Sequence, residues 1–322
     1  MLDSSISVVF TEYQLLQAES LCYKYNFVKT DLLVADPERI NERLINADLF
    51  DNIYYLPAIY ENGSIYKLSY KYIKMYEENV QSLIKSNNYY KVIIGASDEN
   101  TSMGIIKSCI HHEEYWSIED GIGNYRKFSA LDRGKIFFKK LLFNHVYKFD
   151  IGIIAQKGDC NNSKSFRIDP DLTVNKGFHI DLSTIILEYL KSQAFFYKNL
   201  ISSYKDYDTL VIVDKEIKNP IIKENTSLTL IKKHPKYIGS NKKFTVQNIP
   251  IEVLPIIFKN IKLIIYDSYY CSSILNILSI YNNINIKMSF DVCKKYKNNK
   301  SILILNNMIC KKYKEKIFYK NV

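Results

Sequence analysis

Ile6-Ser7-Val8-Val9-Phe10-Thr11-Glu12-Tyr13-Gln14-Leu15-Leu16 begins as a run of β-branched and aromatic residues, breaks at a threonine and then changes period. The first five residues predict a buried strand. Over 12–25 the apolar positions Leu15, Leu16, Ala18, Leu21 and Cys22 fall at the spacing of an amphipathic helix. Residues 31–35 predict the next strand, 90–95 a third, and 108–118 lead through a fourth into an acidic turn. Strand, helix and strand in that rhythm predict a parallel sheet with right-handed crossovers, hence a Rossmann-like first half.

The rhythm returns downstream. Residues 209–213, 227–232 and 262–266 predict strands. Residues 272–281 predict a helix with apolar Ile274, Leu275, Ile277, Leu278 and Ile280, and 301–305 (SILIL) a closing strand. Between the halves, 154–178 is rich in Gly, Asn, Asp, Ser and Lys and lacks a period, which places the interdomain connection there. The expected organisation is a Rossmann-like domain over 1–155, a second over 179–305 and a basic tail over 306–322. Two such α/β domains facing across a cleft form the GT-B arrangement, and 322 residues suit two domains of about 150 each.

Composition narrows the class. Hydrophobic residues make up 47% and charged residues 24%, enough for buried cores. No apolar run approaches the roughly 18 residues of a membrane span, and the N-terminus carries no basic flank or cleavage site of a signal peptide, so a cytoplasmic chain is expected. Six cysteines occur without a CxxC pair, against a zinc ribbon or a disulfide framework. The net charge of +10 is concentrated late: residues 256–322 hold 12 Lys against 3 acidic residues. That suits a solvated lysine-rich face, an anionic membrane surface or nucleic acid, but no nucleic-acid motif accompanies it.

Four short features bear on chemistry. Ile118-Glu119-Asp120-Gly121-Ile122-Gly123-Asn124 ends a predicted strand in two carboxylates and a glycine that lets a ligand approach the backbone closely. Adjacent carboxylates on one turn point apart, so one can face a ligand while the other caps backbone amides. His234-Pro235 follows a predicted strand, and proline holds the preceding residue extended, so the imidazole is expected to project from the strand's carboxyl end, flanked by Lys232, Lys233 and Lys236. Ser272-Ser273 stands at the start of a predicted helix, where Ser272 suits an N-cap and free amides suit an anion. Glu252 suits either a ribose or a helix's first turn. His111-His112-Glu113-Glu114 lacks HExxH spacing and no DxD lies near these motifs, so no metal and no cofactor are expected.

In order and spacing, the acidic-acidic-glycine, histidine-proline and paired-serine motifs resemble those of the bacterial lipooligosaccharide and capsule sialyltransferases of glycosyltransferase family 52 and related families. Thr11-Glu12-Tyr13-Gln14-Leu15 is similar to that family's Thr-x-x-Gln-Leu turn. The resemblance implies a GT-B fold and transfer of sialic acid from cytidine monophosphate (CMP)-sialic acid to a sugar hydroxyl, with inversion, on a lipooligosaccharide, O-antigen or capsule glycan. It implies that His234, with Pro235, meets the donor phosphate, that Ser272 and Ser273 hold it, and that Glu252 takes the ribose. Thr11, Gln14 and Gly121 would line the donor site. The general base would be Asp120, with Glu119 beside it, or Asp214. Tyr237 near the histidine-proline and Tyr269-Tyr270-Cys271 before the serines are bulkier than the family pattern. Other readings are a GT-B enzyme with a Kdo or hexose donor and a basic nucleic-acid-binding protein. The tail, with Tyr313, Phe318 and Tyr319, also suits a peripheral membrane contact near a lipid-linked acceptor.

Overall fold

The computed structural model describes residues 4–56, 70–84, 89–96, 101–119, 125, 134, 137–138, 141, 163–173, 178–201, 206–213, 221–224, 227–233, 245–267 and 271–319. The chain divides into two compact units, and the main passage from first to second falls between Leu182 and Ser183.

The first unit contains β1 (Ser4–Val9), α1 (Glu12–Tyr25), β2 (Lys29–Val34), β3 (Asn52–Tyr55), α2 (Tyr70–Leu83), β4 (Tyr89–Gly95), α3 (Thr101–Cys109), β5 (His111–Ser117), β6 (Ser163–Arg167) and β7 (Ile180–Asp181). Its strands lie in the order β3-β2-β1-β4-β5-β6-β7, every neighbouring pair parallel. β1 sits between β2 and β4, so the winding reverses beside it. β1 and β2 are buried on both faces past their first residue, as strands of a parallel sheet should be, with Ser5, Ser7, Thr30 and Asp31 buried among their apolar residues. Thr11 stops β1 and starts α1: its Oγ1 accepts from the Gln14 amide at 3.2 Å. Asn26, at φ 46°, closes the same helix in the left-handed region, donating its N–H to the Cys22 carbonyl. Trp116, fully buried on β5, packs against Tyr25, Phe27 and Phe166 with ring centroids 4.6–5.6 Å apart.

The second unit contains α4 (Ser183–Ser192), α5 (Ala194–Asn199), β8 (Thr209–Val213), β9 (Ile221–Glu224), β10 (Ser227–Lys233), α6 (Leu254–Ile257), β11 (Leu263–Tyr266), α7 (Ser273–Ile280), β12 (Asn285–Met288), α8 (Val292–Lys295), α9 (Lys300–Lys312) and β13 (Ile317–Tyr319). The sheet order is β13-β12-β11-β8-β10-β9, parallel except for the β9–β10 hairpin. From β8 the chain runs to β10 on one side and then to β11 on the other, so β8 and β11 flank the reversal.

Three expectations require correction. The segment 154–178 is not a plain connection: β6 lies within it, pairs with β5 and buries Phe166, and β7 follows on the same sheet. The first unit therefore runs on to Leu182, whose amide donates to the Arg167 carbonyl at 2.8 Å. Residues 301–305 are helical rather than extended. Asn299 Oδ1 accepts from the Ile302 amide at 3.2 Å and caps α9, which buries Leu305 and Ile309 four residues apart while Ile304 stays 47% exposed. A short apolar run does not separate strand from helix by itself, and the helical period appears only when the run is read on through Ile309. Of the expected tail over 306–322, residues 306–319 finish α9 and supply β13, which pairs parallel to β12 with Ile286 opposite Ile317. Among the described residues no helix is long and apolar enough to cross a membrane.

Candidate functional site

In open parallel sheets ligands sit outside the carboxyl ends of the strands, where the winding reverses. In the first unit that edge follows β1, β4 and β5. Phe10, just past β1, donates its amide to Gln14 Oε1 at 2.8 Å, and Gln14 is itself buried. Thr11 and Gln14 thus fix the turn from strand to helix.

Glu119, the second residue past β5, is 0% exposed. Its amide donates to Gln17 Oε1 at 2.9 Å and its carbonyl accepts from Gln17 Nε2 at 3.1 Å, a reciprocal pair that mimics a strand partner. Its side chain spans further: Oε1 accepts the Ile168 amide at 2.7 Å and Oε2 the Tyr13 hydroxyl at 3.4 Å. Of the two tasks expected of the acidic pair, Glu119 performs the capping one, joining α1, the end of β5 and the chain leaving β6. Asp120 and Gly121 lie outside the described residues. Gln17 and the buried Arg167, whose Nη1 donates to the carbonyls of Phe166 at 2.7 Å and Ser117 at 3.4 Å, were not read from sequence. A mid-helix glutamine and an arginine in a polar segment carry no pattern that marks them.

In the second unit the corresponding edge follows β8, β10, β11 and β12. His234, Pro235 and Asp214 lie outside the described residues, but the strands that lead to them are fixed. Beyond Leu230 the β9 hairpin no longer covers β10. There the Gln247 side chain takes over, accepting the Lys233 amide at 2.8 Å and donating to the Ile231 carbonyl at 2.8 Å. The buried Lys232 ammonium donates to the Gln247 carbonyl. Thr245 and Asn248 close a capping box around Gln247, so the last residues before His234 are held on a side chain that the sequence did not single out.

Ser273 and Ser272 differ. Ser273 is buried, with its Oγ 2.8 Å from both the Tyr266 hydroxyl and Cys271 Sγ. Ser272 is half-buried and makes no capping bond through its side chain, which corrects the N-cap expectation: at φ −60° and ψ −28° its backbone is already helical, not extended as a cap requires. Burial pushes the Cys271 thiol up to about 11 and the Tyr266 hydroxyl well above its ordinary value. The cluster is neutral near pH 7. Asp267, just past β11, accepts from Ser289 Oγ at 2.7 Å, and this pair too went unread in the sequence.

Glu252 lies in a 3-10 turn rather than an open loop. Its Oε1 accepts from Asn276 Nδ2 at 2.7 Å, and its backbone carbonyl takes the Tyr281 hydroxyl. The side chain is buried, so its first task is to pin α7 through Asn276. Burial pushes its carboxyl above the ordinary value, while the Asn276 amide, its own backbone N–H and the Lys232 ammonium pull the other way. A carboxyl raised on folding keeps its proton longer in the folded chain than in the unfolded one. The resulting contribution is present below the unfolded value and fades as pH rises through the folded one. Glu252→Gln keeps the acceptor for Asn276 without a titrating proton. Its stability relative to wild type is therefore expected to improve from pH 4 to pH 8 in denaturant titrations, and a pH-independent difference would contradict this account.

Trp116 donates its indole N–H to Glu114 at 2.8 Å and carries the Lys164 ammonium 4.3 Å above its ring. Buried in this way, it reports on the core of the first unit rather than touching a ligand, so calorimetry is the more direct measure of nucleotide binding. Among the described residues no group of three or more His, Cys, Asp or Glu is placed to share a metal ion.

No family model matches this chain. No curated protein matches it either. Among solved structures it is similar to the crystal structure of MurG from Acinetobacter baumannii over 99% of this chain and 86% of that one, at 8% identity and a TM-score of 0.44, a likeness too slight to carry an argument about activity.

Proposed function

We propose that this chain is a GT-B glycosyltransferase that moves sialic acid from CMP-sialic acid to a sugar hydroxyl, galactose being the expected acceptor, of a bacterial surface glycan, with inversion and without a metal. One observation carries the reading. Each of two successive units holds a sheet that is parallel throughout in the first and parallel but for the β9–β10 hairpin in the second, and the motif residues come after its strands: Thr11 and Gln14 after β1, Glu119 after β5, Ser272 and Ser273 beyond β11. His234 and Asp214 come next in the chain after β10 and β8.

In this reading the acceptor hydroxyl oxygen bonds to the anomeric carbon as the bond from that carbon to the CMP phosphate oxygen breaks. Asp120, or Asp214 in its place, takes the hydroxyl proton. The imidazole of His234 stabilises or protonates the departing phosphate. Ser272, the more exposed of its pair, holds that phosphate, while Ser273 is committed to Tyr266 and Cys271. Glu252 acts through Asn276 on the position of α7. The enzyme works in the cytoplasm, at the membrane where the acceptor is lipid-linked.

Incubation with CMP-sialic acid and no acceptor tests the donor. Slow release of CMP and free sialic acid is expected, unchanged by EDTA. Release from a UDP-hexose or CMP-Kdo, with none from CMP-sialic acid, moves the assignment to another nucleotide sugar. Inertness toward all of them, together with salt-dependent binding of DNA or RNA, removes the enzyme reading.

A further inference from the structure

We propose that Asp267, at the carboxyl edge of the second unit's sheet, receives the ribose of a nucleotide, an inference that rests on the reading above for the nucleotide alone and not for the sugar it carries. Glu252, the carboxylate that the family resemblance puts at the ribose, is buried and bonded to Asn276, so that contact is left to another acceptor. Asp267 stands where the winding reverses. Its amide donates to the Ile212 carbonyl at 2.9 Å, which carries the β8–β11 ladder one residue further and sets Asp267 between the ends of β8 and β12. Open parallel sheets bind nucleotides outside such strand ends, with an acidic residue on a ribose hydroxyl.

Ser289, the first residue past β12, holds the carboxylate in place. Its amide donates to the Tyr266 carbonyl at 3.0 Å, and its hydroxyl lies 2.7 Å from Asp267 Oδ1 and 2.8 Å from the Asp267 carbonyl oxygen. Asp267 is half-buried, and its Oδ2 has no partner among the described residues. One oxygen is thus oriented by the protein while the other is open to a donor. An ionised carboxylate only accepts hydrogen bonds, so it repels a phosphate and selects the donors of a nucleotide, the ribose hydroxyls or an amine on the base. Position favours the ribose. Tyr266, next in the chain to Asp267, has its hydroxyl 2.8 Å from Ser273 Oγ, so α7 begins against the end of β11, with Ser272, the side chain proposed for the phosphate, at that start. The ribose is the part of a nucleotide bonded to its phosphate, whereas a base amine lies at the far end.

Calorimetry on the full chain with CMP and UDP, each also as the 2′,3′-dideoxy form, tests the contact without any sugar donor. Wild type is expected to bind the ribose form of its nucleotide at least about tenfold more tightly than the dideoxy form, as loss of a hydrogen bond to a charged group implies. Asp267→Asn keeps an oxygen for Ser289. Folded by circular dichroism, it should bind the ribose form about tenfold more weakly than wild type and the dideoxy form as wild type does, because the two changes remove one contact. A residue that only closed the β11–β12 edge would weaken both forms alike, and that result overturns the proposal. So do equal wild-type affinities for the ribose and dideoxy forms, and so does binding of neither CMP nor UDP. An unchanged dideoxy penalty in Asp267→Asn moves the carboxylate off the ribose and overturns it too. UDP bound with the ribose discrimination, and CMP not, keeps Asp267 at the ribose while refuting the sialic acid donor.

Discussion

Asp120→Asn and His234→Ala are each expected to purify folded and, under the proposed function, to retain less than about 1% of wild-type sialic acid transfer, because each would remove one proton-transfer or charge-stabilising partner worth roughly 10²- to 10⁴-fold. The two losses are expected to differ in kind. Without Asp120 the acceptor hydroxyl keeps its proton, so transfer falls while acceptor-free hydrolysis of CMP-sialic acid falls less, water being activated by other means. Without His234 the leaving phosphate goes unstabilised, and both reactions fall together. Asp214→Asn separates the alternatives for the base: if it abolishes transfer while Asp120→Asn is near normal, Asp214 holds the role. Near-normal turnover in His234→Ala removes the histidine from the mechanism. The expectation draws strength from how β10 ends. Gln247 holds the last residues of β10, with Lys232 donating to the Gln247 carbonyl, so the strand is fixed as far as Lys233, the residue before His234 in the chain.

The central strands of both sheets were legible because parallel strands under helices are buried on both faces and read as runs rich in Val, Ile and Leu, as β4 and β8 do. What failed to show was whatever depended on partners distant in sequence. β6 reads as a polar loop because only Phe166 and its neighbours mark it, and its strand identity comes from the edge that β5 offers. Residues 301–305 satisfy strand and helix templates equally, and the Asn299 cap that decides between them lies just outside the run. Sequence gives the type and order of Glu119, Ser273 and Glu252, but not their partners, since each makes hydrogen bonds reaching across 49, 7 and 24 positions of chain. Sequence marks where a polar side chain stands. Packing decides whether it faces a ligand or closes the fold behind one.

Glu119→Ala is expected to cost the first unit about 3 kcal/mol, the largest stability effect of any single polar substitution among the motif residues. The side chain is enclosed on all sides, and the amide it accepts belongs to Ile168, itself buried. Truncation leaves that N–H without its acceptor, a penalty of about 1–3 kcal/mol, and opens a void where the carboxyl and its γ-methylene had been. The Gln17 pair is made by the Glu119 backbone and persists, so the loss falls on the joint between β5 and the chain after β6 rather than on α1. Glu119→Gln keeps an oxygen for the Ile168 amide and fills the same volume, so it should cost only about 1 kcal/mol. Denaturant titration followed by Trp116 fluorescence reads the difference directly, because that ring is buried in the same unit on β5. Activity then separates architecture from chemistry. Glu119→Gln should transfer sialic acid at a rate within a fewfold of wild type while Asp120→Asn does not. A stable Glu119→Ala chain would refute the joint, and a stable but inactive Glu119→Gln chain would move the carboxyl from the scaffold into the reaction.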